Sequence, residues 1–163
     1  MRWVHHLFLD HVALGRAFPR AVLAAIESAV AQQEKRHRGQ LLVALEGGLP
    51  LPALLAGRSA RERAIEQFAR LRAWDTEDNA GVLIYLLLAD RRVEIVADRG
   101  IHARVGDTAW ETICGAMQQE FAAGRFEAGM LAGLSSVSDL LAQHFPARPG
   151  ENFNELPDAP VVL

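Results

Sequence analysis

An unbroken run of eight residues, from Val82 to Ala89, constrains the fold of this chain more than any other feature. A strand with one solvated face alternates apolar and polar side chains, whereas this run is apolar on both faces, with the phenol of Tyr85 as its most polar group. The run is also far shorter than the ~20 residues of a membrane-spanning helix. It therefore predicts a central strand in a sheet that is covered on both faces.

Segments on either side of this run complete the predicted architecture. Pro19 suits the first turn of a helix, and Gln40–Glu46 is a second strand rich in Leu and Val. Asp90-Arg91 is typical of a tight turn into a third strand, Arg92–Asp98, which pairs with the central one as an antiparallel hairpin. The order of helices and strands predicts a three-layer α/β/α sandwich with a mixed, roughly four-stranded sheet.

Three further helices are indicated by capping signals and by apolar residues at helical spacing. Ser59 and Glu62 have the spacing of a capping box, and the helix after them is expected to bury Ile65, Phe68 and Ala69. Asp107-Thr108 offers a cap for the next helix. The two last helices carry apolar stripes made of Trp110, Ile113, Cys114, Met117 and Phe121, and of Met130, Leu134, Val137 and Leu141.

The chain is predicted to hold one domain with a segment at each end. Residues 19–145 form the α/β/α domain, and residues 1–18 an N-terminal segment. Residues 146–163 contain four prolines and few apolar anchors, which is typical of an extended or disordered tail. The length of 163 residues is that of one ordinary domain.

Composition excludes several classes of protein. The single cysteine, Cys114, rules out an internal disulfide and a cysteine-rich zinc site, and its place on an apolar stripe predicts a core position. The net charge of −3 gives no reason to expect nucleic acid as a partner. No apolar run is long enough to span a membrane, so we expect a cytoplasmic protein.

The first residues of the chain allow two further interpretations. His5 and His6 lie close to Asp10 and His11 in the sequence, which is one pattern for a transition-metal cluster; the alternative is that they are surface residues, as terminal histidines usually are. The apolar residues of this segment are expected to pack on the domain, with contact to a membrane surface as the alternative; they are Trp3, Leu7, Phe8 and Phe18.

The loop before the central strand carries three carboxylates, on Asp75, Glu77 and Asp78, followed by Asn79 and Gly81. Such oxygens are the ligands that Ca²⁺ and Mg²⁺ prefer, and loops at the edge of a sheet often hold ligands. The spacing matches no EF-hand loop. The loop therefore predicts a cation site, or else a solvated connection in which Asp78 and Asn79 bond their own backbone in an Asx turn.

Separated motifs follow one another between Trp74 and about Leu141. They are Asp78-Asn79 with Gly81 before an apolar strand, Asp90 to Ile95 in the hairpin, Arg99-Gly100-Ile101 after it, and Glu120-Phe121, Ala123-Gly124, Phe126, Gly129 and Leu131-Ala132-Gly133 in the last helices. In this order they resemble the TPM domain family. Two positions depart from the family pattern: Ala80 is inserted after Asp-Asn, and Asp98 stands where a glycine is usual.

The resemblance implies an α/β/α sandwich, divalent-cation binding and, for some members, a weak phosphatase activity. Other bacterial members resemble partners of LemA-type integral membrane proteins. Asp78 and Arg99 are then the candidate catalytic residues. The candidate ligands of Ca²⁺ or Mg²⁺ are Asp75, Glu77, Asp78 and Asp98, and the rest of the site is expected to contain Asn79, Gly81, Arg92 and Gly100.

A phosphatase needs a nucleophile or metal-bound water together with cationic groups around the phosphoryl oxygens. The sequence contains no phosphate-cradling glycine loop, no Cys-x5-Arg and no Asp-x-Asp motif. We therefore expect a binding or accessory module with no organic cofactor, linked to a membrane-protein partner and cytoplasmic or peripheral at the membrane. The alternative is a metal-assisted phosphatase that acts on phosphomonoesters.

Overall fold

A computed structural model describes Val4, His6, residues 11–151 and residues 154–163. In this part of the chain the helices and strands follow one another as α1 (His11–Ala17), α2 (Arg20–Gln33), a 3-10 turn (Glu34–Arg36), β1 (Gln40–Glu46), α3 (Leu51–Leu55), α4 (Ala60–Arg70), β2 (Gly81–Leu87), β3 (Arg92–Ala97), α5 (Arg99–Val105), α6 (Asp107–Ala122), α7 (Phe126–His144) and β4 (Val161–Val162). None of these helices is both long and apolar enough to cross a bilayer.

The four strands form one mixed sheet in the order β3-β2-β1-β4. β1 and β2 are parallel and begin side by side, with Gln40 opposite Gly81. β2 and β3 are antiparallel, so Arg92 lies opposite Leu87 at the far end of β2. The apolar run is central, and every residue of β2 is buried, as the sequence predicts.

Buried side chains on the two faces of the sheet form two separate cores. Val43 and Ile84 belong to the core that α2, α6 and α7 cover. Leu42 and Tyr85 point the other way, into the core under α3 and α4. The predicted three-layer α/β/α sandwich is thus confirmed.

The structure corrects the face that α4 buries. The capping box of Ser59 and Glu62 is present, but Ile65 is 49% exposed and Ala69 is exposed too, while Phe68 is half-buried. The buried positions of α4 are instead Ala60, Arg63, Ala64 and Gln67. Apolarity mispredicted this face because Arg63 turns inward to a buried carboxylate.

The C-terminal segment, predicted as an extended or disordered tail, supplies the fourth strand. β4 pairs in parallel with the end of β1, and the Leu163 N–H donates to the Leu45 carbonyl at 2.9 Å. At the start of β1, the side-chain oxygen of Gln40 accepts hydrogen bonds from the N–H groups of Glu155 and Leu156, at 3.0 and 3.1 Å. Residues 154–163 therefore lie along β1.

Side chains from neighbouring helices occupy hydrogen-bonding positions on the outer side of β3. The Gln118 side-chain oxygen accepts from the Val93 N–H at 3.2 Å, and Arg61 Nη1 donates to the Ile95 carbonyl at 2.6 Å. The thiol of Cys114 hydrogen-bonds the Ile95 backbone. Cys114 is half-buried and packs against the core.

Candidate functional site

The acidic loop and the turn after β3 meet at one edge of the sheet, which we call the rim. The Gly100 N–H donates to the Asn79 carbonyl at 2.9 Å, and the Asp98 N–H donates to the Gly81 carbonyl at 2.9 Å. This juxtaposition follows from the hairpin, since the end of an antiparallel β3 must return to the start of β2. The rim therefore comprises the starts of β1 and β2 and the end of β3.

Two backbone features make the close approach possible. A Cβ on Gly100 would lie 2.5 Å from the Asn79 carbonyl oxygen and 2.6 Å from that of Asp78, so this position requires glycine. Asn79 has a φ of 50°, a left-handed conformation that asparagine tolerates better than most residues. The loop and turn thus form a tightly packed backbone platform at the rim.

An ion pair between Arg38 and Asp78 joins this platform to the segment just before β1. Arg38 Nη1 donates to both carboxylate oxygens of Asp78, at 2.8 and 2.9 Å. The guanidinium of Arg38 also lies over the Phe145 ring, 5.7 Å from its centroid, and its Nε donates to the Pro146 carbonyl at 3.2 Å. Asp78 is therefore neutralised by an arginine that two other groups, the Phe145 ring and the Pro146 carbonyl, hold in place.

The C-terminal segment borders the same place. The Glu155 carboxylate accepts from the Glu77 N–H at 3.0 and 3.3 Å. A polar cavity of about 130 Å³ lies beside these groups, lined by His37, Arg38, Glu77, Asp78, Arg148, Glu151 and Glu155. The cavity is large enough for a small ion or a few waters rather than an organic ligand.

Two buried titratable groups flank the rim. Burial lowers the pKa of His37 to about 4, and its ring nitrogens lie 3.1 Å from the Gly39 carbonyl and 3.2 Å from the Ser138 hydroxyl. Burial raises the pKa of Glu34 to about 8, with a further contribution from the adjacent Asp158 carboxylate. Near pH 7, His37 is neutral and Glu34 is mostly protonated.

The other candidate residues of the sequence occupy different environments. Asp75 is exposed and pairs with Arg72 at 2.5 Å. Asp98 caps α5, because its Oδ1 accepts from the Arg99 N–H at 2.7 Å, and its Oδ2 is buried without a partner among the described residues. The Arg99 side chain is exposed.

Arg92 was predicted at the rim, and that prediction is wrong. It pairs with Leu87 at the opposite end of the hairpin and lies 3.6 Å from Glu94. The direction of an antiparallel strand separates its first residue from its last, so Arg92 and Arg99 cannot share one site.

The predicted cation ligands are not gathered around a common point. Within the described part of the chain, no group of three His, Cys, Asp or Glu side chains is placed to hold a metal ion. The carboxylate of Asp78 is engaged by Arg38, and that of Asp75 by Arg72. The arrangement as it stands therefore does not fit a resident divalent cation.

Among the N-terminal histidines, the structure describes the side chain of His6, and this side chain is not part of a metal-binding group among the described residues either. His6 is buried; its Nδ1 accepts from the Leu49 N–H at 3.0 Å, so its Nε2 carries the hydrogen and donates to Asp90 at 2.9 Å. Both ring nitrogens are thus used in structural bonds. Phe18 is buried in the core, as expected; Trp3, His5, Leu7, Phe8, Asp10 and the His11 side chain lie outside the described residues.

Sequence reasoning missed Arg38, His37 and Glu155 as members of the rim. A signal existed for Arg38, because it lies two residues before β1 and parallel neighbours start at the same edge of a sheet. Glu155 offered no such signal, since its position depends on how the C-terminal segment runs along β1.

A second arginine–carboxylate cluster is buried between the sheet and α4. Glu46 accepts from Arg63 Nε and Nη2 at 3.0 and 2.8 Å and from the Tyr85 hydroxyl at 2.5 Å. The hydrogen bond to Glu46 raises the pKa of Arg63, and burial beside Glu46 raises that of Tyr85. The Gln67 amide, oriented to satisfy its neighbours, accepts from Arg63. This cluster is a closed structural network.

Comparison with known proteins places the chain among related domains. A family model described as the TPM domain matches residues 15–140. The NMR structure of protein BA42 from the psychrophilic bacterium Bizionia argentinensis is 29% identical; the match covers 88% of this chain and 93% of that one, with a TM-score of 0.76. The N-terminal domain of a P. gingivalis protein shares the fold at 16% identity and a TM-score of 0.63, over 79% of this chain and 81% of that one. No curated protein gives a significant match.

Proposed function

This chain belongs to the TPM domain family, and from that premise we propose that it is a binding or accessory module rather than an independent enzyme. The observation that carries the proposal is the state of Asp78, the best candidate nucleophile. Both of its carboxylate oxygens are 2.8–2.9 Å from Arg38 Nη1. A carboxylate that is held in this way is a weak nucleophile. It is a good recognition element, because either member of the ion pair can exchange its partner for a charged group of a ligand.

The family resemblance suggests an integral membrane protein of the LemA type as the partner. The rim supplies a suitable recognition surface, since both acidic and basic side chains line its cavity. We therefore propose that a polar, charged segment of the partner docks at the rim and competes for the Arg38–Asp78 pair.

A pull-down from a membrane extract tests this docking. Wild type is expected to recover one integral membrane protein, and the Arg38→Ala/Asp78→Ala variant to lose it. Arg36→Ala/Asp139→Ala is the matched control, because it removes an exposed pair with a 2.7 Å contact whose two residues do not line the rim cavity. A partner that both variants retain, or that none of the proteins recovers, contradicts docking at the rim.

We also propose that the loop binds a divalent cation, provided that the cation can displace Arg38 from Asp78. Because the ligand set does not fit an ion while Arg38 holds Asp78, a cation has to displace that arginine. Ca²⁺ or Mg²⁺ should then raise the melting temperature by mass action, more strongly in Arg38→Gln than in wild type. Asp78→Asn with Asp98→Asn should abolish the shift. A thermal scan that is flat at millimolar ion in wild type and in Arg38→Gln would leave the loop as a solvated connection.

The alternative is a phosphatase acting on phosphomonoesters. An aryl phosphate assay of wild type, Asp78→Ala and the surface control Asp139→Ala separates the two functions. Turnover that Asp78→Ala abolishes and Asp139→Ala preserves would establish the enzyme and overturn the module. We expect no turnover that depends on Asp78.

A further inference from the structure

An open cleft of about 910 Å³ lies at the end of the sheet opposite the rim. It is bounded by α1, the start of α2, the β2–β3 turn and the first turn of α7. Its apolar lining consists of Ala13, Ala17, Pro19, Val22, Leu88, Phe126, Ala128 and Leu131. The cleft shares no residue with the rim cavity, so it requires its own explanation.

The charged residues of the cleft are mostly arginines. Arg16 and Arg91 line it, are exposed, and make no ion pair within the described part of the chain. Arg125 also lines it but is neutralised by Glu120, at 2.6 and 2.9 Å. Glu127 is the acidic residue of the lining. The lining thus combines an apolar surface with two unpaired guanidiniums and one carboxylate.

This combination selects a chemical class of ligand. The volume lies within the range of about 300–1,000 Å³ that small-molecule sites occupy, and such sites combine an apolar lining with a few charged groups that fix orientation. An apolar lining flanked by unpaired arginines complements a molecule with an apolar chain and an anionic end.

We propose that this cleft binds a medium-chain fatty-acid carboxylate. The acyl chain lies on the apolar lining, where burial from water drives binding, and the carboxylate is held by Arg16 and Arg91. Glu127 opposes the anion and limits the affinity. The site is independent of the proposed function at the rim.

Calorimetric titration of the full chain with laurate below its micelle concentration tests the proposal. Dodecyltrimethylammonium, which has the same chain and the opposite charge, is the ligand control. We expect laurate to bind at least about tenfold more tightly than the cationic amphiphile. Equal affinities would show that the arginines do not select the ligand and would overturn the proposal.

Variants locate the site. Arg16→Ala/Arg91→Ala should weaken laurate about tenfold or more, Ala128→Trp should block the cleft, and Glu127→Gln should tighten binding a few-fold. Arg36→Ala, whose side chain pairs with Asp139 elsewhere, should bind as wild type does. Circular dichroism checks that each variant is folded, and amide shifts at Ala13 and Leu88 in wild type report the location.

Other occupants of the cleft give different results. Binding to anionic vesicles without binding to monomeric laurate would assign this face to a membrane surface and overturn the proposal. Laurate affinity that Ala128→Trp leaves unchanged in a folded protein would place the ligand elsewhere. Absence of laurate binding to wild type and to Glu127→Gln would reject the site outright.

Discussion

Two arginine–carboxylate pairs lie at opposite ends of the same strand, and they differ in what surrounds them. At the end of β1, Glu46 and Arg63 have side chains only 4% and 9% exposed, and Tyr85 and Gln67 complete their hydrogen bonds. Just before β1, Arg38 pairs with Asp78; the side chain of Arg38 is 17% exposed and that of Asp78 is 27% exposed.

The difference shows how burial separates a structural pair from one available for exchange. Removing one partner of a buried pair leaves a charge that water cannot reach, which is far more costly than the pair's own net contribution. At the rim, water or a ligand can replace the missing partner. The same chemical motif therefore fixes α4 on the sheet in one place and offers a recognition site in the other.

The largest effect should come from breaking the buried pair. Arg63→Met preserves most of the packing volume but leaves Glu46 without its cation, so the free energy of unfolding should fall by about 3–5 kcal/mol. Urea denaturation measures this loss. The control is Arg70→Ala, an exposed arginine on the same helix, which should change stability by less than about 0.5 kcal/mol. A loss below about 1 kcal/mol in Arg63→Met would remove the contrast between the two pairs.

Glu34 extends the comparison to a buried carboxyl near the rim that forms no ion pair with an arginine in the part of the chain that the structure describes. Its pKa in the folded protein is about 8, against 4.5 unfolded, so the folded state binds the proton more tightly. This contribution to stability is present below pH 4.5 and is lost as the pH rises through about 8, at up to roughly 1.4 kcal/mol per pH unit.

Glu34→Gln should abolish that loss, since an amide keeps the acceptor for the Leu41 N–H, which lies 2.7 Å from the carboxylate. Chemical denaturation from pH 5 to 9 would show wild type falling by about 2–4 kcal/mol relative to the variant. Glu27→Gln, at an exposed position of α2, should follow wild type. Parallel profiles for wild type and Glu34→Gln would contradict the raised pKa.

The rim pair should give a smaller stability effect. A double-mutant cycle with Arg38→Gln and Asp78→Asn isolates the interaction, and we expect a coupling free energy of about 1 kcal/mol, as for a partly solvated, hydrogen-bonded pair. Thermal denaturation of the four proteins at one pH supplies the measurement. A coupling as large as the loss in Arg63→Met would make the rim pair structural and weaken its assignment as a recognition site.

The smallest effect should come from Arg36 and Asp139, an exposed pair with a 2.7 Å contact and side chains 45% and 63% exposed. Its coupling should be within about 0.5 kcal/mol and should vanish in high salt. The same cycle measured at low and high salt sets the baseline for the other pairs. A value above that of Arg38 and Asp78 would show that exposure does not rank these interactions.

The sequence predicted the fold because the apolar run of β2 admits only a covered, central position. It also assigned the acidic loop and the turn at Asp98 to one candidate site, and the hairpin does bring these two segments together. It failed on α4, where Arg63 turns inward and Ile65 outward, because a buried ion pair carries no apolar signal. It missed Glu155 because that residue reaches the rim through a segment with no periodicity of its own.

The side chains along β3 have a consequence for how this protein behaves in concentrated solution. Gln118, Arg61 and Cys114 already use hydrogen-bonding positions that an incoming strand would need. Burial also raises the pKa of the Cys114 thiol to about 11, which keeps it un-ionised and slow to form intermolecular disulfides. With this edge closed to templated growth and its thiol inert, the strongly apolar sheet is shielded from fibril formation on the side where β3 would otherwise seed it.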